Sequence, residues 1–257
     1  MAKKRKSYYT KNDTTANGIS FAAKEAYNLL RTNLFFSFSD DAKCHVIGVT
    51  STIPSEGKSL TAANTAMAMA EAGKRVLLID SDMRLPTIHK KLGFKAAPGL
   101  SNLLVGMNDV EKAIYRLEDK GFDVMPAGNT PPNPTELLGS ARMEKLLYGL
   151  SAHYDYIIID TSPVGLVGDI YSLFKQVDQT VFVVSCEKTN KTFFKNTIKQ
   201  LQAHNAHNIN IVFNNVNLKK IEYSAYYHNS YGYYGGNYGK GYYGYGLYVG
   251  GKDQYFD

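Results

Sequence analysis

Between residues 44 and 216, short apolar runs alternate with stretches whose apolar residues recur at helical spacing. The runs at 46–49, 75–79, 122–125, 156–159, 180–185 and 209–213 are almost continuously apolar. Such runs predict strands covered on both faces, and hence an α/β fold with an open, mostly parallel sheet and helices on both sides. Helices are expected at 58–72, which is Ala-rich and closed by Gly73, and from Pro86 to Gly93. Further helices are expected at 134–148 and 192–203. Ahead of the first strand, 20–36 carries apolar residues at helical spacing and predicts a helix packed on the domain or on a neighbouring subunit.

The pattern stops after Asn217. Residues 221–257 hold 12 of the 20 tyrosines and 9 of the 22 glycines with hardly any aliphatic side chain, so they predict a flexible tail without a core of its own. The chain therefore divides into a basic, flexible N-terminus (1–19), one α/β domain (20–217) and a Gly/Tyr-rich tail (218–257).

Composition narrows the class. The chain has 257 residues, 44% hydrophobic and 20% charged, enough for one substantial core. No apolar run approaches the ~18 residues of a membrane span, and no apolar segment follows the basic N-terminus, so neither a transmembrane helix nor a secretory signal is expected. A cytoplasmic protein is the expectation. Cys44 and Cys186 stand singly in apolar surroundings, which suggests neither disulfide nor zinc chemistry. Net charge is +6, with +4 in residues 1–20 and −1 in 221–257. The N-terminal cluster Lys3, Lys4, Arg5, Lys6 and Lys11 reads as a solvated tail, or as a contact for anionic lipid at ~1 kcal/mol per charge or for nucleic acid phosphates.

The first strand runs into Thr50-Ser51-Thr52-Ile53-Pro54-Ser55-Glu56-Gly57-Lys58-Ser59 and then a helix. In a phosphate-binding loop the backbone N–H groups and the helix N-terminus converge on phosphate, as in P-loop NTPases. Lys58 would then sit over the β- and γ-phosphates and Ser59 would offer a hydroxyl to Mg²⁺. Thr52 occupies the first-glycine position of the usual pattern and would be strained if that position needed a positive φ. Two more strand ends are acidic: Asp80-Ser81-Asp82-Met83-Arg84 and Asp160-Thr161-Ser162-Pro163. Ligands of open α/β sheets bind beyond the carboxyl ends of the strands, and carboxylates there suit Mg²⁺.

With these motifs the chain resembles the bacterial tyrosine kinases (BY-kinases) of capsule and exopolysaccharide synthesis, of the cytoplasmic type with a separate transmembrane activator. The resemblance rests on Ser55-Glu56-Gly57-Lys58-Ser59, on Asp80-x-Asp82-x-Arg84, on Asp160 and on the tyrosine tail. Pro126-Ala127-Gly128, Pro132 to Leu138, and Glu25-Ala26-Tyr27 leading to Leu30-Arg31-Thr32-Asn33 also match. It implies ATP and Mg²⁺ as cofactors, with Ser55, Glu56, Gly57, Lys58, Ser59, Leu60 and Arg84 around the nucleotide. Asn214 matches a position that contacts adenine, although an asparagine that simply ends a strand fits as well. Ser59, Asp82 and Asp160 would hold the metal. Lys58, Asp80 and Asp82 would be catalytic, with Asp80 as the base for the tyrosine proton. Two departures stand out: Asn28 replaces the middle arginine of the Glu-x-x-Arg-x-x-Arg oligomerisation helix between Glu25 and Arg31, and Ser162 replaces the first of two prolines, with little consequence expected for the metal.

The tail implies acceptors: Tyr223, Tyr226, Tyr227, Tyr231, Tyr233, Tyr234, Tyr238, Tyr242, Tyr243, Tyr245 and Tyr248. A flexible chain of this length spans roughly 30 to 37 Å, enough to reach a neighbouring subunit. The resemblance also implies a transmembrane adaptor of the polysaccharide chain-length-regulator type, a homo-oligomer, a cognate tyrosine phosphatase, no nucleic acid partner, and a place at the inner face of the cell membrane. A Gly/Tyr segment can alternatively self-associate or stack on bases. Two rival functions share the fold. Chromosome-partitioning and division-site ATPases carry a lysine where this chain has Ile53, and a nucleotide-binding assembly regulator would bind without turnover.

Overall fold

The structure, a computed structural model, describes residues 19–38, 42–204, 206, 208–216 and 248–249. The basic N-terminal cluster and every tail tyrosine named above except Tyr248 lie outside the described residues. Eight strands form one sheet in the order β3-β4-β2-β5-β1-β6-β7-β8. These are β1 (His45–Ser51), β2 (Val76–Asp80), β3 (Tyr115–Leu117), β4 (Phe122–Met125), β5 (Tyr156–Asp160), β6 (Gln179–Ser185), β7 (Ile209–Asn214) and β8 (Tyr248–Val249). The pairings from β4 to β7 are parallel, while β3 and β8 are antiparallel edges.

Strand periodicity builds a core on each face. In β2 and β5, Leu77, Ile79, Ile157 and Ile159 face one side, and Val76, Leu78, Tyr156 and Ile158 the other. The second face is covered by α1 (Phe21–Ser37) and α2 (Lys58–Glu71). Ala62, Ala63 and Ala66 are fully buried, so the small residues of α2 let its backbone lie close to the sheet. The second face also takes α3 (Ile88–Leu92) through Ile88 and Leu92, while the first face carries α4 (Leu100–Leu104), α5 (Val110–Ala113), α6 (Pro134–Leu138) and α7 (Ala141–Leu150). Beyond β6, α8 (Lys191–Ala203) closes a third cluster around Phe182, Ile198 and Leu201.

Three expectations need correction, and one left open is settled on the side of the domain. The helix at 134–148 is two helices, because Ser140 accepts the Met143 N–H at 3.3 Å and caps a new start after Gly139. The tail is not wholly without regular structure: Tyr248 and Val249 pair with Val212 and Ile211 on the edge of β7. Cys186 is exposed rather than enclosed by apolar neighbours. In α1, Glu25, Asn28 and Arg31 bond to one another and Arg31 donates to the Ala68 carbonyl at 2.9 Å, so this ladder fastens α1 to α2.

Candidate phosphate and metal site

The loop after β1 is shaped by one buried acid. Glu56 has no exposure; its carboxylate accepts the Ile53 N–H at 2.9 Å and the Thr189 hydroxyl. Thr189 accepts in turn from the Ser185 N–H, and Lys188 donates to the Ser55 carbonyl, so the turn after β6 clamps the loop from outside. Positive φ occurs at Ser55 and at Gly57, where it reaches 103°. Thr52 is not among the positive-φ residues, so it carries no left-handed backbone strain in place of the first glycine. A Cβ on Gly57 would lie 2.1 Å from Asn214 Nδ2. Asn214 approaches that closely because it donates to the Glu56 carbonyl at 2.8 Å and so joins the end of β7 to the loop. Asn214 also lines a cavity of about 300 Å³ between α1 and β7, together with Tyr27, Thr61 and Phe213.

Lys58 and Ser59 open α2, and both are buried. The Lys58 ammonium lies 3.0 Å from Asp82 Oδ2, 3.5 Å from Asp160 Oδ1 and 3.3 Å from Ser59 Oγ. Burial works against this charge, but Asp160, then Asp82 and Asp80, outweigh it and hold the ammonium above its ordinary pKa. Sheet register explains the meeting: Asp80 and Asp160 end adjacent strands as direct Cα partners, and Val49 of β1 pairs with Asp160.

The three carboxylates differ. Asp160 is fully buried; burial raises its pKa against the lowering pull of Lys58, and its Oδ2 has no hydrogen-bond partner. Asp82 Oδ1 accepts from the Ser162 hydroxyl at 2.9 Å and the Leu85 N–H at 3.1 Å. Ser162, expected to matter little, thus orients one of the expected metal ligands because the loops after β2 and β5 are neighbours. Asp80 is pushed up to about 8 by burial first and the Asp160 charge second. Its Oδ2 accepts the Thr87 and Ile88 N–H groups and its Oδ1 that of Asp82, so it fixes the start of α3 as well as facing the cluster.

Arg84 makes a two-pronged ion pair with Asp169, at 2.8 and 3.1 Å, and Thr135 also donates to Asp169. The guanidinium therefore ties the loop after β2 to α6 and to the 3-10 turn Asp169–Ser172. Neither Asp169, Thr189 nor Lys188 was indicated by the sequence pattern. Thr135 lay inside a quoted motif without a role.

Among the described residues no group of three or more His, Cys, Asp or Glu side chains is placed to hold a metal by itself. The residues nonetheless fit Mg²⁺, which typically takes one or two carboxylates and completes its shell with phosphate and water. The unpartnered Asp160 Oδ2, beside the Ser59 hydroxyl, is the kind of oxygen such an ion would use.

The chain is similar to known proteins over most of its length. A family model described as an AAA domain matches residues 45–219. The tyrosine-protein kinase YwqD of Bacillus subtilis (strain 168) is 38% identical over 211 residues, covering 82% of this chain and 86% of that protein. The kinase domain of the Escherichia coli tyrosine kinase ETK superposes with a TM-score of 0.71 at 31% identity, over 76% of each chain. The chimerical protein CapA2B2 gives a TM-score of 0.69 at 34% identity, over 74% of this chain and 83% of that one.

Proposed function

Because the chain belongs to the bacterial tyrosine kinases and is itself a protein-tyrosine kinase built on a P-loop domain, we propose that it transfers the γ-phosphate of ATP to the tyrosines of its own C-terminal segment, from one subunit to another. The observation that carries this reading is the meeting of Lys58, Asp82 and Asp160 at the mouth of the loop.

Ser55 to Leu60 would surround the phosphates, with the Lys58 ammonium over the β- and γ-phosphate oxygens. Ser59, Asp82 and Asp160 hold Mg²⁺, which when bound offsets the negative charge of the transferring group. The phenol oxygen bonds to the γ-phosphorus, the bond from phosphorus to the bridging oxygen breaks with its electron pair going to ADP, and the phenol proton passes to Asp80. A phenol titrates near ~10 and is neutral at pH 7, so a positioned acceptor is needed. Asp80, raised to about 8 in the site as it stands and so mostly protonated at pH 7, would serve as acceptor with a cation beside it that favours its ionised form; its Oδ1 then offers the position, taking one N–H where Oδ2 takes two. Arg84 acts by holding the loop of Asp82 in place through Asp169.

The acceptors are Tyr223, Tyr226, Tyr227, Tyr231, Tyr233, Tyr234, Tyr238, Tyr242, Tyr243, Tyr245 and Tyr248, with the segment 218–257 as substrate and 20–217 as catalytic domain. Each phosphate adds about −1.5 to −2 charges, so three or four would cancel the net +6 and favour release from an assembly or an anionic surface. Attachment is assigned to a transmembrane adaptor of the chain-length-regulator type; among the described residues no helix is long and apolar enough to cross a membrane. The similarity to CapA2B2, a chimera, supports that partner. Homo-oligomer formation, reversal by a tyrosine phosphatase, and control of capsule or exopolysaccharide synthesis complete the reading.

The test is an anti-phosphotyrosine and intact-mass assay of the full chain with Mg-ATP, with and without a peptide from the adaptor's cytoplasmic end. Mass steps of one phosphate each are expected. Nucleotide hydrolysis without phosphotyrosine in either condition would favour a nucleotide-switched assembly protein.

A further inference from the structure

Two exposed leucines lie on the loops that carry the buried acids or follow them. Leu85 is 68% exposed and Leu166 is 60% exposed, and they lie on the loops that follow the neighbouring strands β2 and β5. Both loops are fixed. The Leu85 N–H donates to Asp82 Oδ1 at 3.1 Å, one residue after the Arg84–Asp169 ion pair. On the other side, the Gly165 N–H donates to the Thr52 carbonyl at 3.1 Å, and a Cβ at 165 would lie 2.3 Å from that oxygen and 2.7 Å from Phe193 Cζ. Glycine thus lets the loop settle onto the phosphate loop with Leu166 next in sequence. Single exposed leucines are ordinary on protein surfaces, but these two share the sheet end that carries the carboxylates.

We propose that Leu85 and Leu166 are the binding platform for the ring of the acceptor tyrosine, supplied by segment 221–257 of a second copy of this chain. The inference rests on the placement of the catalytic site at Lys58, Asp82 and Asp160 given above. A tyrosine side chain has apolar faces and one polar tip, so it fits a site with an apolar rim and a floor of carboxylates. The occupant follows from the chain itself: 12 tyrosines lie in 221–257, and the domain's last strand ends at Asn214, bonded to the Glu56 carbonyl of the phosphate loop. The described chain thus leaves β7 at the same end of the sheet as the site. A serine or threonine hydroxyl reaches no such rim, so the platform also selects tyrosine.

The test uses full-length chains. Wild type and the Leu85→Ser/Leu166→Ser double variant each act with Mg-ATP on a mass-tagged Lys58→Met chain as acceptor. The KM for that acceptor should rise roughly tenfold in the double variant, with the KM for ATP and the thermal midpoint unchanged. An unchanged acceptor KM, or an equal rise in the KM for ATP, overturns the platform. Phosphate transfer by the Lys58→Met chain alone would instead overturn the site assignment on which the platform rests.

Discussion

Lys58 Nζ lies 3.0 Å from Asp82 Oδ2, so the ammonium expected to meet phosphate is neutralised by a carboxylate expected to meet the metal. On the proposed assignment, lysine and divalent cation would compete for the same oxygens until a nucleotide offered the lysine a replacement. Lys58→Met leaves Asp82 and Asp160 buried without their cation, at a cost of about 3 kcal/mol. Mg²⁺ without nucleotide should then raise the thermal midpoint of the variant by several degrees and that of the wild type by much less. Equal shifts in a Mg²⁺ titration of the two proteins would contradict the competition.

Ser162 carries a second expectation. Its hydroxyl donates to Asp82 at 2.9 Å in a buried setting, so Ser162→Ala should cost about 1 to 2 kcal/mol in denaturant unfolding and slow phosphate transfer at saturating ATP. A variant as stable and as fast as wild type would show that Asp82 is oriented without it.

The Glu56–Thr189 contact gives a third. Glu56→Ala removes the partner of the Ile53 N–H inside the loop and of the Thr189 hydroxyl on the turn that clamps it. Nucleotide affinity should fall at least tenfold while circular dichroism shows the fold retained. Thr189→Val, which keeps the shape and loses one bond, should give a smaller loss in the same direction. Affinity unchanged in both variants would leave the clamp without a function.

Most of the fold is legible in the chain because the central strands are buried on both faces, and β2 and β5 are buried at every position. The edge strand β3 is not: it is three residues long, only partly buried, and antiparallel. The break at Gly139 and Ser140 is hidden because the apolar spacing continues through it, and only the serine cap marks the new start. Lys58, Asp80, Asp82 and Asp160 could be read from strand ends, where local sequence and topology coincide. Asp169 and Thr189 could not, since each acts on a residue 85 or 133 positions away and has no local pattern of its own.

The Arg84–Asp169 pair supplies the pH dependence. Burial raises the Asp169 carboxyl, but Arg84 and then Thr135 outweigh burial and hold it below its ordinary value. The folded-state pKa is therefore below the unfolded one, so the stabilisation is present above about pH 4 and disappears as pH falls through the folded value. The difference in thermal midpoint between wild type and Asp169→Asn should be constant from pH 7 to 5 and shrink below pH 4. A difference that grew on acidification would show that the pair opposes folding.

The most direct test of the whole account is phosphopeptide mapping of the full chain after incubation with Mg-ATP, run beside Lys58→Met. The account requires phosphate on tyrosines of residues 223–248 in the wild type and none in the variant. Equal phosphotyrosine in the two chains, or phosphate confined to residues outside that segment, would contradict it.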